Sequence, residues 1–241
     1  MIALFTDYGL SGPYLGQVKA ALHKLAPRER VINLMADVPP QNVKAGAYLL
    51  SAFTRDFPRG TIFLCVVDPA VGTFHDSPVE MLLDGSWFVG PDNGLFDIVA
   101  RRARKKRCRE IAWRPAKLSS SFHGRDLYAP VCAMLAKGRL PQGKIIRWKD
   151  RHGWPDDLAE VVYIDGFGNC MTGIRAGKLA SSGVLKIGRR RIRHATTFAA
   201  VGRGQAFWYE NSNGLLEIAV NQGRASEVLA FAVGDRLGSA G

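Results

Sequence analysis

The fold class the sequence predicts is α/β, with a larger first domain over residues 1–150 and a smaller β-rich domain over 158–241. Three observations predict it. Short apolar runs alternate with helical periodicity through the first half. One run, Thr61–Val67, is apolar without interruption from Ile62 onward, as in a strand covered on both faces of its sheet. Beyond about residue 150, β-like segments separated by glycine and polar turns replace the helical pattern, which suits a small antiparallel, barrel-like domain. The polar stretch 148–157, with Gly153 and Pro155, reads as the linker.

In chain order, Ile2–Phe5 reads as a strand. Tyr14–Leu25 reads as a helix with Leu15, Val18, Leu22 and Leu25 on one face. Val31–Leu34 is a second strand, and after Pro39-Pro40 a helix spans Val43–Phe53. Val79–Leu83 and Trp87–Val89 flank Asp84-Gly85, a hairpin signal. Arg125–Ala136 reads as a helix with Pro130 near its first turn or kinking it. In the second domain the β-like segments are Ala159–Ile164, Val184–Ile187, Phe207–Glu210, Leu215–Ala219 and Val228–Ala232.

No apolar run approaches the roughly 20 residues that span a bilayer, and the first residues lack the marks of a secretory signal. The expectation is a soluble cytoplasmic protein without a membrane partner. Four cysteines, Cys65, Cys108, Cys132 and Cys170, lie far apart without a CxxC pair, which argues against zinc or redox motifs. Thirty-three basic against 21 acidic residues give a net charge of +12. Much of the excess lies in Arg101–Arg107 and Arg189–Arg193. The first continues a helical pattern and reads as a solvated helix end. The second suits alternating faces of an exposed strand. Neither has the interleaved aromatics of a base-stacking platform, so a nucleic-acid partner is not expected.

Polar residues at strand ends and in glycine turns are the candidates for chemistry. Asp7 follows the first strand and Asp68 ends the most apolar one, at the carboxyl ends where open α/β sheets bind ligands. Each also reads as an N-cap or turn residue. In Pro91-Asp92-Asn93-Gly94, Asp92 suits an Asx-turn. Ser121-Phe122-His123-Gly124-Arg125-Asp126 sets a histidine, suited to proton transfer near neutral pH, just before a helix. His123 reads equally as a structural residue, and Asp126 as a first-turn carboxylate. Turn formation alone also accounts for Asp165–Asn169 and Asn211–Gly214.

Taken together, these segments and Phe57–Thr61 resemble, in order and spacing, the S-adenosylmethionine hydroxide adenosyltransferases, hydrolytic relatives of the fluorinase and chlorinase enzymes. The resemblance spans nearly the whole chain. It implies a Rossmann-like N-terminal domain, a C-terminal β-barrel, and a homotrimer with substrate bound between subunits. It implies hydrolysis of S-adenosylmethionine to adenosine and L-methionine, with no cofactor. By the same resemblance Asp7 holds the ribose hydroxyls, Asp165 and Ser212 receive the methionine end, and Phe167 and Asn169 bind the adenosine end; Asn213 lies in the same turn as Ser212. Asp68 and His123 match two of the three water-activating residues. The third, an arginine, is replaced by His75, followed by Asp76. Ala70 stands where a glycine is usual, and Met35-Ala36 where a threonine–histidine pair is usual.

Halogenation is the nearest rival, but halogenases carry tyrosine in place of Asp68 and a tyrosine–serine pair in place of His123-Gly124. A methyltransferase needs a glycine-rich loop after the first strand, and Thr6–Gly12 is a poor substitute. A divergent S-adenosylmethionine- or adenosine-binding protein, or a basic nucleic-acid-binding one, are the non-enzymatic alternatives.

Overall fold

A computed structural model of the chain describes residues 1–73, 77–179, 183–187 and 190–237. It divides into two units, Met1–Gly153 and Trp154–Gly241. The chain is mixed α/β with two sheets, one in each unit.

The first unit contains strands β1 (Ile2–Thr6), β2 (Val31–Met35), β3 (Ile62–Val66), β4 (Pro78–Leu83), β5 (Ser86–Pro91), β6 (Lys106–Ile111) and β7 (Gly143–Ile146). They form one sheet in the order β2-β1-β3-β5-β4-β6-β7. β2, β1, β3 and β5 are parallel, and β4, β6 and β7 extend the sheet by antiparallel pairing. β1 and β3 are buried at every position. Such strands must be apolar on both sides, because successive side chains point to opposite faces.

Helices α1 (Tyr14–Leu25) and α4 (Ala129–Ala136) cover one face, where Val18, Leu22, Val131 and Leu135 join Ile2, Leu4, Ile62, Leu64 and Val66 in one core. Phe63, one residue out of phase with Ile62 and Leu64, lies on the other face. There it stacks on Phe88, which meets Phe96 edge-on at the start of α3 (Asp97–Arg102). Helix α2 (Val43–Phe53) packs with α3 and is capped by Asn42, whose side chain accepts from Ala45 N at 3.0 Å.

Two sequence expectations in this unit are corrected. The basic run does not continue a helix. Arg101 and Arg102 close α3, and Asp84 then accepts from Arg104 N and Lys105 N, at 3.1 and 2.8 Å. The chain leaves as β6, in which only Cys108 and Ile111 are buried. Ladder pairing with β4 outweighs the helical spacing. The segment expected as one helix from Arg125 opens with a π-helical turn, Gly124–Tyr128, in which Ala129 N bonds to Gly124 O. Pro130 then falls in the first turn of α4, where its missing N–H costs nothing.

The second unit contains β8 (Leu158–Ile164), β9 (Cys170–Arg175), β10 (Val184–Ile187), β11 (Arg190–His194), β12 (Ala206–Glu210) and β13 (Leu215–Val220) in one sheet, ordered β10-β11-β12-β13-β9-β8. Val161, Cys170, Leu185, Ile192, Trp208, Leu216, Ile218 and Val220 form its core. The pairing is not wholly antiparallel as expected, since β11 and β12 are parallel. The long connection 195–205 supplies the crossover that parallel neighbours need.

Val228–Ala232 is not a strand. Helix α5 (Ala225–Val228) ends there with Ala230 at φ 56°, Ala230 N bonded to Glu227 O and Phe231 N to Ser226 O. This Schellman-type ending turns Leu229 and Phe231 onto the core. Among the described residues no helix is long and apolar enough to cross a membrane.

Candidate active site

The parallel register of β1 and β3 sets Thr6 beside Val66, so Asp7 and Asp68 leave the sheet at the carboxyl ends of neighbouring strands. Asp7 N donates to Val66 O at 3.3 Å, and Asp7 Oδ2 accepts from Gln41 N at 2.9 Å. Burial pushes the Asp7 carboxyl above its ordinary range, against the pull of the backbone N–H groups of Gln41 and of Asp7 itself. Asp68 Oδ1 accepts from Ala70 N at 3.1 Å, an Asx-turn that starts the following loop.

Tyr8 follows Asp7, and its ring packs edge-on against Phe122, the residue before His123. Burial, then the charges of Asp7 and Asp68, hold its phenol protonated far above the usual range. Its hydroxyl lies against Gly124: a Cβ on that glycine would come within 1.9 Å of Tyr8 Oη. His123 is buried, 9% exposed, immediately before the π-helical turn. The Asp68 loop reaches the same place at Gly72, whose φ is +77° and whose absent Cβ would meet Ser120 O at 2.1 Å. Gly72, Thr73, Ser119, Ser120 and His123 line a pocket of about 270 Å³.

The neighbouring Arg125–Asp126 pair is a brace. Arg125 donates Nε to Asp126 Oδ1 at 2.6 Å and Nη2 to Oδ2 at 2.8 Å, and lies 4.9 Å over the Phe122 ring. Asp126 Oδ2 accepts from Ser119 N at 3.0 Å, tying the pocket wall to the helix start. The Arg125 guanidinium holds the Asp126 carboxyl below its ordinary range, with a smaller contribution from His123.

The Asx-turn expected at Asp92 is made instead by Asn93, and the Asp92 carboxylate pairs with Arg151. Asn93 Nδ2 donates to Val67 O at 2.8 Å, its Oδ1 accepts from Leu95 N at 3.2 Å, and Asp92 N donates to Ser77 O at 2.9 Å. His75 and Asp76 lie outside the described residues.

In the second unit, Asp165 organises its own turn. Oδ1 accepts from Phe167 N and Asn169 N, both at 2.9 Å, and Oδ2 from Asn169 Nδ2 at 3.0 Å. The turn buries Asn169 and leaves the Phe167 ring 79% exposed. Asn211 Oδ1 accepts from Asn213 N and Leu215 N, both at 3.0 Å; Ser212 is exposed, and Asn213 Nδ2 lies 3.5 Å from its hydroxyl.

Glu217, buried at 2% exposure, holds the second of these turns: it accepts from Tyr209 Oη and from Asn211 Nδ2, the latter at 2.8 Å. Burial, the largest influence, raises the Glu217 carboxyl.

Sequence reasoning missed Tyr8 and Glu217. Glu217 carried a signal, since a carboxylate inside the apolar run Leu215–Val220 must find partners when buried. Among the described residues no group of three or more His, Cys, Asp or Glu could hold a metal ion.

The sequence matches the SAM hydroxide adenosyltransferase N-terminal domain over residues 2–144 and the C-terminal domain over 159–238. The chain belongs to the SAM hydroxide adenosyltransferase family. Among relatives in that family, the (R)-S-adenosyl-L-methionine hydrolase of Thermus thermophilus is 36% identical over 253 residues, covering 97% of this chain and 96% of the relative. That of Salinispora arenicola is 35% identical over 254 residues, covering 98% and 96%. A crystal structure of an uncharacterized conserved protein from Thermotoga maritima superposes with a TM-score of 0.84 at 33% identity, covering 98% of both chains.

Proposed function

We propose that this adenosyltransferase hydrolyses S-adenosyl-L-methionine by attack of water on the ribose C5′, releasing adenosine and L-methionine. The observation that carries the reading is the approach of Tyr8 Oη to Gly124, which sets the residue after Asp7 against the residue after His123, while the Asp68 loop meets Ser120 at Gly72. An acceptor for ribose hydroxyls and a buried imidazole thus each lie one residue from a shared contact, and the loop of a second carboxylate reaches the same segment.

In the step, a water oxygen forms a bond to C5′ while the C5′–S bond breaks and its electron pair returns to sulfur. The sulfonium leaves as a neutral thioether, so no acid is required. The protein's task is to line water up behind C5′ and take its proton. Asp68 orients the water or the imidazole, and His123 receives the proton. Alignment of this kind supplies several kcal/mol, up to about 7–11 in ideal intramolecular cases, and a general base about 10²–10⁴-fold in rate. Asp7 accepts from the ribose hydroxyls. In the second unit Asp165, Ser212 and Asn213 take the methionine end, with Phe167 and Asn169 at the adenosine end.

The same reading takes the parallel-centred sheet as Rossmann-like, the second sheet as barrel-like, and the working form as a homotrimer in the cytoplasm. Light scattering measures the assembly.

The deciding experiment is incubation with S-adenosylmethionine in oxygen-18 water. Adenosine labelled at the 5′ oxygen together with methionine is expected; unlabelled adenosine excludes direct attack by solvent. Release of a halogenated nucleoside when chloride or fluoride is supplied would favour the halogenase reading instead.

A further inference from the structure

The last residues of the first unit are bonded to the turn that holds the Asp68 loop. Asn93 Nδ2 grips Val67 O, one residue before Asp68, and Asp92 N grips Ser77 O, so one turn fixes two points flanking Asp68–Thr73. That turn is in turn held by Asp150–Gly153. The Arg151 guanidinium pairs with the Asp92 carboxylate, and His152 Nε2 lies 3.0 Å from Asn93 O. Because a carbonyl only accepts, this nitrogen is the donor.

The segment itself is pinned from below. Buried Asp97 accepts from Arg151 N and His152 N at 3.0 and 3.2 Å. Asp150 pairs with Arg101 and accepts from Gly153 N at 2.8 Å.

We propose that Asp150–Gly153 is a latch and that His152 and Arg151 are positioning residues for the Asp68 loop, an inference that rests on the hydrolytic reading of Asp68. Both side chains belong to exposed residues, so neither is held there by core packing. Their bonds are the means by which the end of this unit sets the turn, and the turn sets the loop. Displacing a catalytic carboxylate by about 1 Å from such a remote change can cost 10²-fold in rate.

The test uses the full-length chain and the variants His152→Ala, His152→Gln and Arg151→Met, with two readouts. One is kcat and KM for S-adenosylmethionine; the other is hydrogen exchange of the amides in Asp68–Thr73. His152→Ala and Arg151→Met are expected to lower kcat by about 10-fold or more, to leave KM within about twofold, and to speed exchange in that loop. His152→Gln, whose amide offers a donor to the Asn93 carbonyl, should restore both readouts. Unchanged exchange in the Ala and Met variants overturns the latch; faster exchange at unchanged kcat overturns the positioning role. Should the unmutated chain release no adenosine, the hydrolytic reading fails separately, and exchange alone decides whether the latch holds the loop.

Discussion

Replacing Gly124 by Ala tests how tightly the centre of the candidate site is packed. The new Cβ would lie 1.9 Å from Tyr8 Oη, 3.0 Å from Cζ and 3.5 Å from Cε2. Non-bonded heavy atoms settle at about 3.5–4.0 Å, so the hydroxyl is roughly 1.5 Å too close and the ring must move with it. The ring has little room, because it meets Phe122 edge-on at a centroid distance of 5.7 Å and Tyr14 at 6.3 Å.

Overpacking of this kind costs about 1–3 kcal/mol, which for a chain of this size lowers the melting temperature by roughly 2–12 °C. Adenosine release should fall as well, since Tyr8 joins Asp7 in sequence and its hydroxyl packs against the residue after His123. Calorimetry and chromatographic turnover measure the two effects. Tyr8→Phe removes the atom at 1.9 Å and leaves Cζ, at 3.0 Å, as the nearest contact. The double variant should therefore recover much of what the single one loses. A Gly124→Ala protein with unaltered melting and turnover, or a double variant no better than the single, would refute the packing at this centre.

Asp68→Ala and His123→Ala should each reduce turnover by about 10²-fold or more while leaving the unfolding transition cooperative; a variant retaining full rate removes that residue from the mechanism. Burial holds the Asp97 carboxyl up at about 6, so between the ordinary aspartate pKa and 6 the folded chain binds a proton that the unfolded chain has lost. Unfolding free energy should fall as pH rises through that window, with a slope of up to about 1.4 kcal/mol per pH unit, and urea titrations of Asp97→Asn should show a flatter dependence. Removing the Glu217 carboxylate with Ala leaves the donors of Tyr209 and Asn211 without it, at a cost of about 1–3 kcal/mol. Glu217→Gln should cost less, and equal loss in both variants would show that hydrogen bonding is not what Glu217 supplies.

Much of the fold could be read from the residues because pattern and burial coincide. α1 and α2 occupy the spans their apolar spacing predicts, Tyr14–Leu25 and Val43–Phe53, and the Asp84-Gly85 turn joins β4 to β5. Where the pattern is set by distant partners it could not be read. β6 has charged residues at Lys106, Arg107, Arg109 and Glu110, and becomes a strand only because β4 and β7 lie on either side. β9, with Thr172-Gly173 at its centre breaking the apolar pattern, is likewise made by β8 and β13. Leu229 and Phe231 are apolar for the sake of a helix ending, a role that resembles a strand in one dimension.

At the site, the turn readings of Asp68 and Asp165 describe real bonds, while the Asx-turn read at Asp92 is made by its neighbour Asn93. Those bonds position polar groups where the strands end, so a structural role there does not exclude a chemical one. The gap between Tyr8 and Gly124 was invisible because a glycine's missing side chain states no partner.

All four thiols are buried, and removal from water pushes each one's ionisation far upward, Cys108 and Cys170 to about 12. Alkylating reagents attack the thiolate, so modification at neutral pH must wait for the surrounding structure to open. Cys65, Cys108 and Cys132 belong to the first unit and Cys170 alone to the second. Timed labelling followed by peptide mass spectrometry therefore clocks the breathing of each half independently, with no engineered probe.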